Sequence, residues 1–312
     1  MRYEIDNQET QDKEVSGWWN DERTKKWHHF TYDKNNYLSS HVILRQKKVL
    51  DYLKSLNLPE GSKVLELGGG AGQTAKKICE LGYNITGIDV SKHLCEESEK
   101  KCKNFVNQDT ARFINQSMEK DFPLNDNEFD VCVIAGSIQY VGNLNKLFKE
   151  INRVLKIDGN LILCQANMYP LFKLIKPRHM ILQLVYLFLN EEFLLSASFK
   201  SILCESRLGK YFKKYENSKF MNSRFMTKGE VNLEYKIRKR LYSFSRLKKL
   251  LDKSNYDIIK KTGATFFHPK NNIFYYFWFI LDLILQKILD FKIITFLLNF
   301  SDNIIILAKK KI

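Results

Sequence analysis

Between Val64 and Ala75 the sequence reads VLELGGGAGQTA, and four of these twelve residues are glycine. Glycine weakens helix and strand interiors alike, so a cluster this dense marks a turn whose backbone something must approach closely. The residues before it, SKVLEL, are short and apolar, as a buried strand requires, and those after it, TAKKICELG, have helical spacing and close on Gly82. NITGIDV, from Asn84 to Val90, is a second buried strand. Strand, glycine loop, helix and strand in that order form the first half of a doubly wound parallel sheet, which places the chain in the α/β class.

The alternation continues along the chain. SKHLCEESEKKCKNF predicts a helix, ARFIN a short strand, and FDVCVIAG (Phe129 to Gly136) an apolar strand buried on both faces. LNKLFKEINRVLK predicts a helix stopping at Asp158-Gly159, and NLILCQA another strand. Ahead of the sheet, VILRQKKVLDYLKSL (Val42 to Leu56) has one apolar face and ends in the turn residues Leu58-Pro59-Glu60-Gly61. Beyond Asn167 a stretch rich in aromatics and lysine interrupts the pattern, which resumes with the helix and strand of YSFSRLKKLLDKSNYDIIKKTG (Tyr242 to Gly263) and closes with the strand NIIILAKKK (Asn303 to Lys311). These breaks predict an N-terminal helical cap over residues 1–60 and a ligand-binding core over 61–167. A helical insertion would follow over 168–241, then the rest of the core over 242–312, with an apolar helical insertion at about 264–302.

A glycine loop between a first strand and its helix lets backbone N–H groups meet a ligand directly, at the carboxyl edge where open parallel sheets bind their ligands. Asp89 ends the second strand, nineteen residues after Gly70, placed to accept hydrogen bonds from ribose hydroxyls. Gly70-Ala71-Gly72-Gln73-Thr74-Ala75 also fits the loose G-x-G-x-x-A dinucleotide pattern. Glu66 favours another ligand, because a carboxylate at the end of the first strand suits a cation better than a pyrophosphate.

Glu66, Gly68, Gly70 and Gly72, an acidic residue followed by alternating glycines, resemble the first motif of the class I S-adenosylmethionine-dependent methyltransferases, small-molecule type. FDVCVIAGSIQYV resembles the family's fourth strand and following loop, INRVLKIDGNLIL its next helix and fifth strand, and YSFSRLKKLLDKSNYDIIKKTG its late helix and sixth strand. The resemblance implies a Rossmann-like methyltransferase fold: a doubly wound, mostly parallel seven-stranded sheet with helical insertions forming a lid. It implies S-adenosyl-L-methionine as cofactor. By position, Gly68, Gly70 and Gly72 would lie under its amino-acid portion and ribose, and Glu66 would steady its amino group. Asp89 would hold the ribose diol and Val90 would flank the adenine. Gln116, followed by Ser117, stands where the family usually has a carboxylate for the adenine amine, and an amide oxygen can accept that bond. Ala135 and Gly136 would begin the loop beneath the methyl donor.

Methyl transfer from a sulfonium depends mainly on positioning, although an oxygen or nitrogen acceptor can need a base. Many relatives place histidine after the fourth strand, whereas this chain reads Ser137-Ile138-Gln139-Tyr140. Tyr140 can orient an acceptor but, with an ordinary pKa near 10, is a poor base. His28, His29 and His41, in the segment before the sheet, are the other catalytic candidates. The loop lacks the Asn/Asp-Pro-Pro-aromatic run of adenine methylation in nucleic acid and the paired carboxylate and amide of the magnesium-dependent catechol type, and no Pro-Cys motif supports cytosine methylation. The expected activity is therefore metal-independent transfer to an apolar or lipid-linked small molecule, at oxygen, with DNA excluded as a partner and RNA disfavoured. Two alternatives stay open: a non-catalytic cofactor-binding or regulatory module of the same fold, and RNA methylation through the basic segment KIRKRLYSFSRLKK.

The net charge of +15 over 312 residues suits a polyanionic partner such as an anionic membrane surface, although the abundance of Lys, Asn and Ile expected from AT-rich coding accounts for it equally well. Six cysteines without a C-x-x-C pair predict reduced, buried thiols and no structural metal. The polar start MRYEIDNQETQDKE carries no secretory pattern, so a cytoplasmic location, peripheral at the membrane, is expected. Two apolar stretches, MYPLFKLIKPRHMILQLVYLFL and IFYYFWFILDLILQKILDFKIITFLLNF, are too charged for a span of about 20 residues. They fit helices that pack into the protein or lie at a membrane interface. Trp18 and Trp19 belong to an aromatic run that either caps a ligand or packs.

Overall fold

In the computed structural model, which describes residues 8–20, 40–167, 194–196, 238–240, 242–266, 281, 284, 299 and 301–311, the glycine run joins a central strand to a helix. The strands are β1 (Lys63–Leu67), β2 (Asn84–Asp89), β3 (Ala111–Asn115), β4 (Phe129–Ala135), β5 (Leu155–Ala166), β6 (Leu194–Ser196), β7 (Arg238–Arg240), β8 (Tyr256–Ala264) and β9 (Asn303–Lys310). Seven of them form one sheet in the order β3-β2-β1-β4-β5-β9-β8, while β6 and β7 pair separately. β1 to β5 pair in parallel, and β9 is antiparallel to both its neighbours. The chain winds outward from β1 through β2 to β3 and then crosses to β4 on the other side. β1 and β4 therefore flank the point where the winding reverses, which opens a crevice at their carboxyl ends.

The helices are α1 (Gln8–Asn20), α2 (Ser40–Lys54), α3 (Gln73–Cys79), α4 (Lys92–Lys101), α5 (Lys103–Val106), α6 (Leu144–Val154) and α7 (Phe244–Lys253). Side chains alternate across a strand. Leu65 and Leu67 of β1 accordingly enter one buried cluster with Ile151 of α6 and Leu247 of α7, while Val64 enters the other with Leu53 of α2 and Ile78 of α3. Burial on both faces explains why β1 and β4 read as continuous apolar runs rather than alternating ones.

Two local differences from the sequence pattern have physical causes. The single helix expected over SKHLCEESEKKCKNF breaks at Cys102 (φ −100°, ψ 17°), and the short α5 turns Phe105 and Val106 against the cluster that holds Val64. β5 begins at Leu155, ahead of NLILCQA, because Leu155 already pairs with Phe129. Asp158, with φ +66°, then takes up extra chain before Asn160 pairs with Val131.

The predicted lid segments, 168–241 and 264–302, lie largely outside the described residues. What is described shows where they attach. Asn167 and Tyr242 form a parallel bridge, so the first insertion leaves and re-enters the core at adjacent residues. The second does likewise: Ala264 pairs with Asn303, and Asp302 N donates to Thr265 O (2.6 Å). Asn167 joins the two, its N–H donating to Asp302 O (2.8 Å) and its Nδ2 to Ser301 O (2.8 Å). The first insertion thus departs from the carboxyl end of β5 and the second from the end of β8 beside it, and β7 approaches the short 3-10 turn Ile138–Tyr140 that follows β4.

Candidate cofactor site

Gly68, Gly70 and Gly72 have φ of 67°, 65° and 73°, the left-handed region that other residues rarely adopt. A Cβ on Gly68 would stand 2.3 Å from Ser137 Cβ, and one on Gly69 would stand 2.5 Å from Glu66 Oε2. The loop is pinned from several sides. Gly68 N donates to Ile88 O (2.7 Å), Gly70 N to Asp89 Oδ2 (3.1 Å), Ser137 Oγ to Leu67 O (2.7 Å) and Ser98 Oγ to Gly70 O (2.9 Å).

Above the loop lies a cavity of about 180 Å³. Of the residues expected to hold a cofactor, Gly68, Gly70, Asp89, Val90, Ser117 and Ala135 line it, joined by Tyr140. Asp89 is buried at its floor, with Oδ1 accepting from Ser91 N (2.9 Å) and Oδ2 from Gly70 N. Burial pushes its carboxyl up to about 6, opposed by the backbone N–H groups of Ser91, Gly70 and Val90.

Three of the expected residues stand elsewhere. Glu66 shares the strand face of Val64, so its carboxyl lies beneath the glycine loop, in a small separate cavity with Arg45, Gln46 and Thr74. It is buried, its Oε2 has no hydrogen-bond partner among the described residues, and its pKa is pushed up to about 8, first by burial and then by Cys102 and Asp89. Gly72 packs against α4, where a Cβ would come 2.8 Å from Ser98 Cα, rather than lining the cavity. Gln116 points its Nε2 at Asp121 O (2.9 Å), and Ser117 and Met118 take the cavity wall beside it. Glu119, next in line, accepts from Asn143 N (3.0 Å) and so ties this loop to the one that follows Tyr140.

His28 and His29 fall outside the described residues, and His41 is described only as part of the α2 backbone. Sequence reasoning missed Asp12, Val15, Arg45 and Met118 on the cavity wall and left Trp19 between capping and packing; Trp19 lines the cavity. Asp12, Val15 and Trp19 follow helical spacing and present one face of α1 to the site. Asn20 docks that helix, its Oδ1 accepting from Ser91 Oγ (2.7 Å). The spacing is visible in the sequence, but Asp12 among these positions hides the stripe. Among the described residues, no group of His, Cys, Asp and Glu is arranged to hold a metal ion.

A glycine-cradled cavity at the switch point of a doubly wound sheet, with a buried carboxylate at the end of β2, defines a nucleoside-binding α/β domain. Residues 65–163 match the family described as "Methyltransferase domain". The demethylmenaquinone methyltransferase of Tropheryma whipplei is 31% identical over 36% of this chain and 46% of its own length. Sterol 4-C-methyltransferase strm-1 of Caenorhabditis elegans is 32% identical over 35% of this chain and 32% of its own. The chain therefore spans half or less of the length of these curated relatives. Across 97% of the chain, the fold superposes on 60% of the phosphoethanolamine N-methyltransferase 2 structure of Haemonchus contortus, solved with S-adenosylhomocysteine, with a TM-score of 0.54 and 14% identity. Residues 65–163 thus match the methyltransferase-domain family, and the fold around them is the one seen in solved S-adenosylmethionine-dependent methyltransferases.

S-adenosylmethionine is the cofactor of that family, and the residues present fit it. The left-handed glycines leave the cradle free of side chains, and Asp89 retains lone pairs at the cavity floor.

Proposed function

We propose that the chain transfers the methyl group of S-adenosylmethionine to an apolar or lipid-linked small molecule, at oxygen. The observation that carries this reading is that Val15, Trp19, Leu94, Tyr140 and Val141 share the wall of the cavity with the glycine loop and Asp89, which gives an apolar acceptor side chains to pack against. The relatives, a demethylmenaquinone methyltransferase and a sterol methyltransferase, support the apolar character of the acceptor. When bound, the cofactor supplies a methyl group on a positively charged sulfur. The protein's part is to orient and to exclude water. Asp89 accepts the ribose hydroxyls, the glycine loop admits the amino-acid portion, Val90 and Met118 enclose the adenine, and α1 shuts the cavity from solvent. Tyr140 donates to or accepts from the acceptor atom; a base from the histidines of the N-terminal segment would remove its proton.

The location we propose is the cytoplasmic face of an anionic membrane. The excess positive charge and the basic strand Arg238–Arg240 beside the site support it. Among the described residues no helix is long and apolar enough to cross a membrane. Incubating the protein with cofactor labelled on the methyl group and a cell extract tests the proposal. Label should appear in the organic phase, in a product stable to ribonuclease. Label recovered in RNA would support the nucleic-acid alternative, and cofactor binding without turnover the non-catalytic one.

A further inference from the structure

The turn after β4 carries an amide whose orientation is set by a second, buried amide. Gln139 lines the cavity, next to Tyr140 in the 3-10 turn Ile138–Tyr140. Its Nε2 donates to Gly136 O (3.0 Å), and its Oε1 accepts from Gln165 Nε2 (3.4 Å). Gln165 lies near the carboxyl end of β5, one residue past Cys164, the partner of Ala135. It is fully buried and takes no part in the cavity wall, so the Gln139 oxygen is turned into the protein. What that amide still offers the cavity is the second hydrogen of Nε2.

Packing alone does not favour Gln165 at its place. Leu161 and Leu163 precede it on the same face of β5 and belong to the cluster that holds Ile138, so a third apolar side chain would continue that packing. Instead the strand buries an amide whose Oε1 has no hydrogen-bond partner among the described residues. A buried polar atom left unmet costs stability, which points to a use for the other end of the group.

We infer that Gln165 holds Gln139 with an N–H rather than an oxygen toward the acceptor, and that this polarity selects the acceptor atom. An oxygen with a lone pair to offer, as in a phenolate or enolate, receives that N–H; a protonated amine, which brings only donors, does not. The inference rests on the proposed methyl transfer at oxygen and adds the polarity of the atom it uses. Gln139 binds the acceptor, and Gln165 is a positioning residue that acts through it. Without Gln165 the amide can turn over and present its oxygen instead.

The labelled-cofactor assay in cell extract tests this, with S-adenosylhomocysteine titrated separately by calorimetry. Gln139→Met keeps the length and removes the N–H, so it should raise the amount of extract needed for half-maximal labelling about tenfold, the size of one hydrogen bond to an ionised oxygen. Gln165→Met should raise it about threefold, and the double variant should match Gln139→Met alone, because a residue that works through Gln139 has nothing to act on once that amide is gone. Affinity for S-adenosylhomocysteine should stay within about threefold in all three. Thermal unfolding shows which variants are folded, and Gln165→Asn, whose shorter amide falls short of Gln139, replaces Gln165→Met if that one unfolds. No loss in either single variant, losses that multiply in the double variant, an equal loss of S-adenosylhomocysteine affinity, or label found as an N-methyl amine would overturn the inference while leaving methyl transfer itself standing. Cofactor binding without any labelled product from the wild-type protein would overturn both.

Discussion

Glu66 carries a prediction that needs no substrate. Its carboxyl is buried under the glycine loop with an oxygen that no described group satisfies, and its pKa is pushed from 4.5 up to about 8. The folded protein therefore keeps a proton that the unfolded chain releases near pH 4.5. The stability associated with that proton is fully present below pH 4.5 and is lost as pH rises toward 8, at a limiting slope of about 1.4 kcal/mol per pH unit. Relaxation and water penetration reduce the ideal value, so the loss between pH 5 and 8 should be roughly 2–3 kcal/mol. Glu66→Gln has the same shape and no charge to release. Asp89, also raised, titrates in both proteins and so largely drops out of the comparison, its repulsion with Glu66 being the smallest of the causes that raise Glu66. Urea unfolding of the cofactor-free protein at pH 5, 6, 7 and 8 measures the effect. The variant should gain on the wild type steadily as pH rises. Parallel stability curves would show that Glu66 is ionised in the folded protein and that its burial is relieved by something the structure does not place there.

Asp89→Ala should weaken S-adenosylhomocysteine binding by about 2–4 kcal/mol, since it removes two charge-assisted bonds with partial replacement by water, and calorimetry would record it. Gly70→Val should weaken binding further by forcing a branched residue into a left-handed position on the cavity wall, as the same titration would show. Gln116→Leu discriminates the family alignment from the observed geometry. With its amide turned to Asp121, the substitution should change cofactor affinity less than about threefold, and a tenfold loss would mean that the side chain swings to the adenine on binding. Flotation with vesicles tests the membrane reading: binding should require anionic lipid and fall as salt rises, and a protein that stays soluble on anionic vesicles at low salt would refute it.

The parts of the site legible in the sequence were those written in backbone chemistry. Glycines at 68, 70 and 72 announce left-handed turns, and an aspartate closing a buried strand announces a ligand at the sheet edge, because few other contexts tolerate those residues. Side chains that reach the site from outside the sheet were harder to see. Arg45 reads in VILRQKKVLDYLKSL as one more solvated base, and only the packing of α2 against α3 shows that it faces inward. Glu66 was legible as an acid at the motif, but which side of the loop it occupies depends on strand alternation beneath α2 and α3. Gln116 shows the opposite failure: its place in the order of elements was readable, while its amide partner Asp121 depends on how the loop after β3 folds back. The bulge at Asp158 hides because a helix end and a strand start share the same turn residues.

The attachment of the two insertions has an architectural corollary. Each leaves and re-enters the sheet at neighbouring residues, Asn167 with Tyr242 and Thr265 with Asp302, and Asn167 clasps both junctions. A segment whose two ends already touch adds little loop-closure cost when it lengthens or changes sequence. Such sockets let the catalytic chassis stay constant while the pieces mounted on it are exchanged. Grafting a foreign segment between Asn167 and Tyr242 should therefore leave the register of β5 and β9 undisturbed, so the sheet can be treated as a reusable base for interchangeable heads.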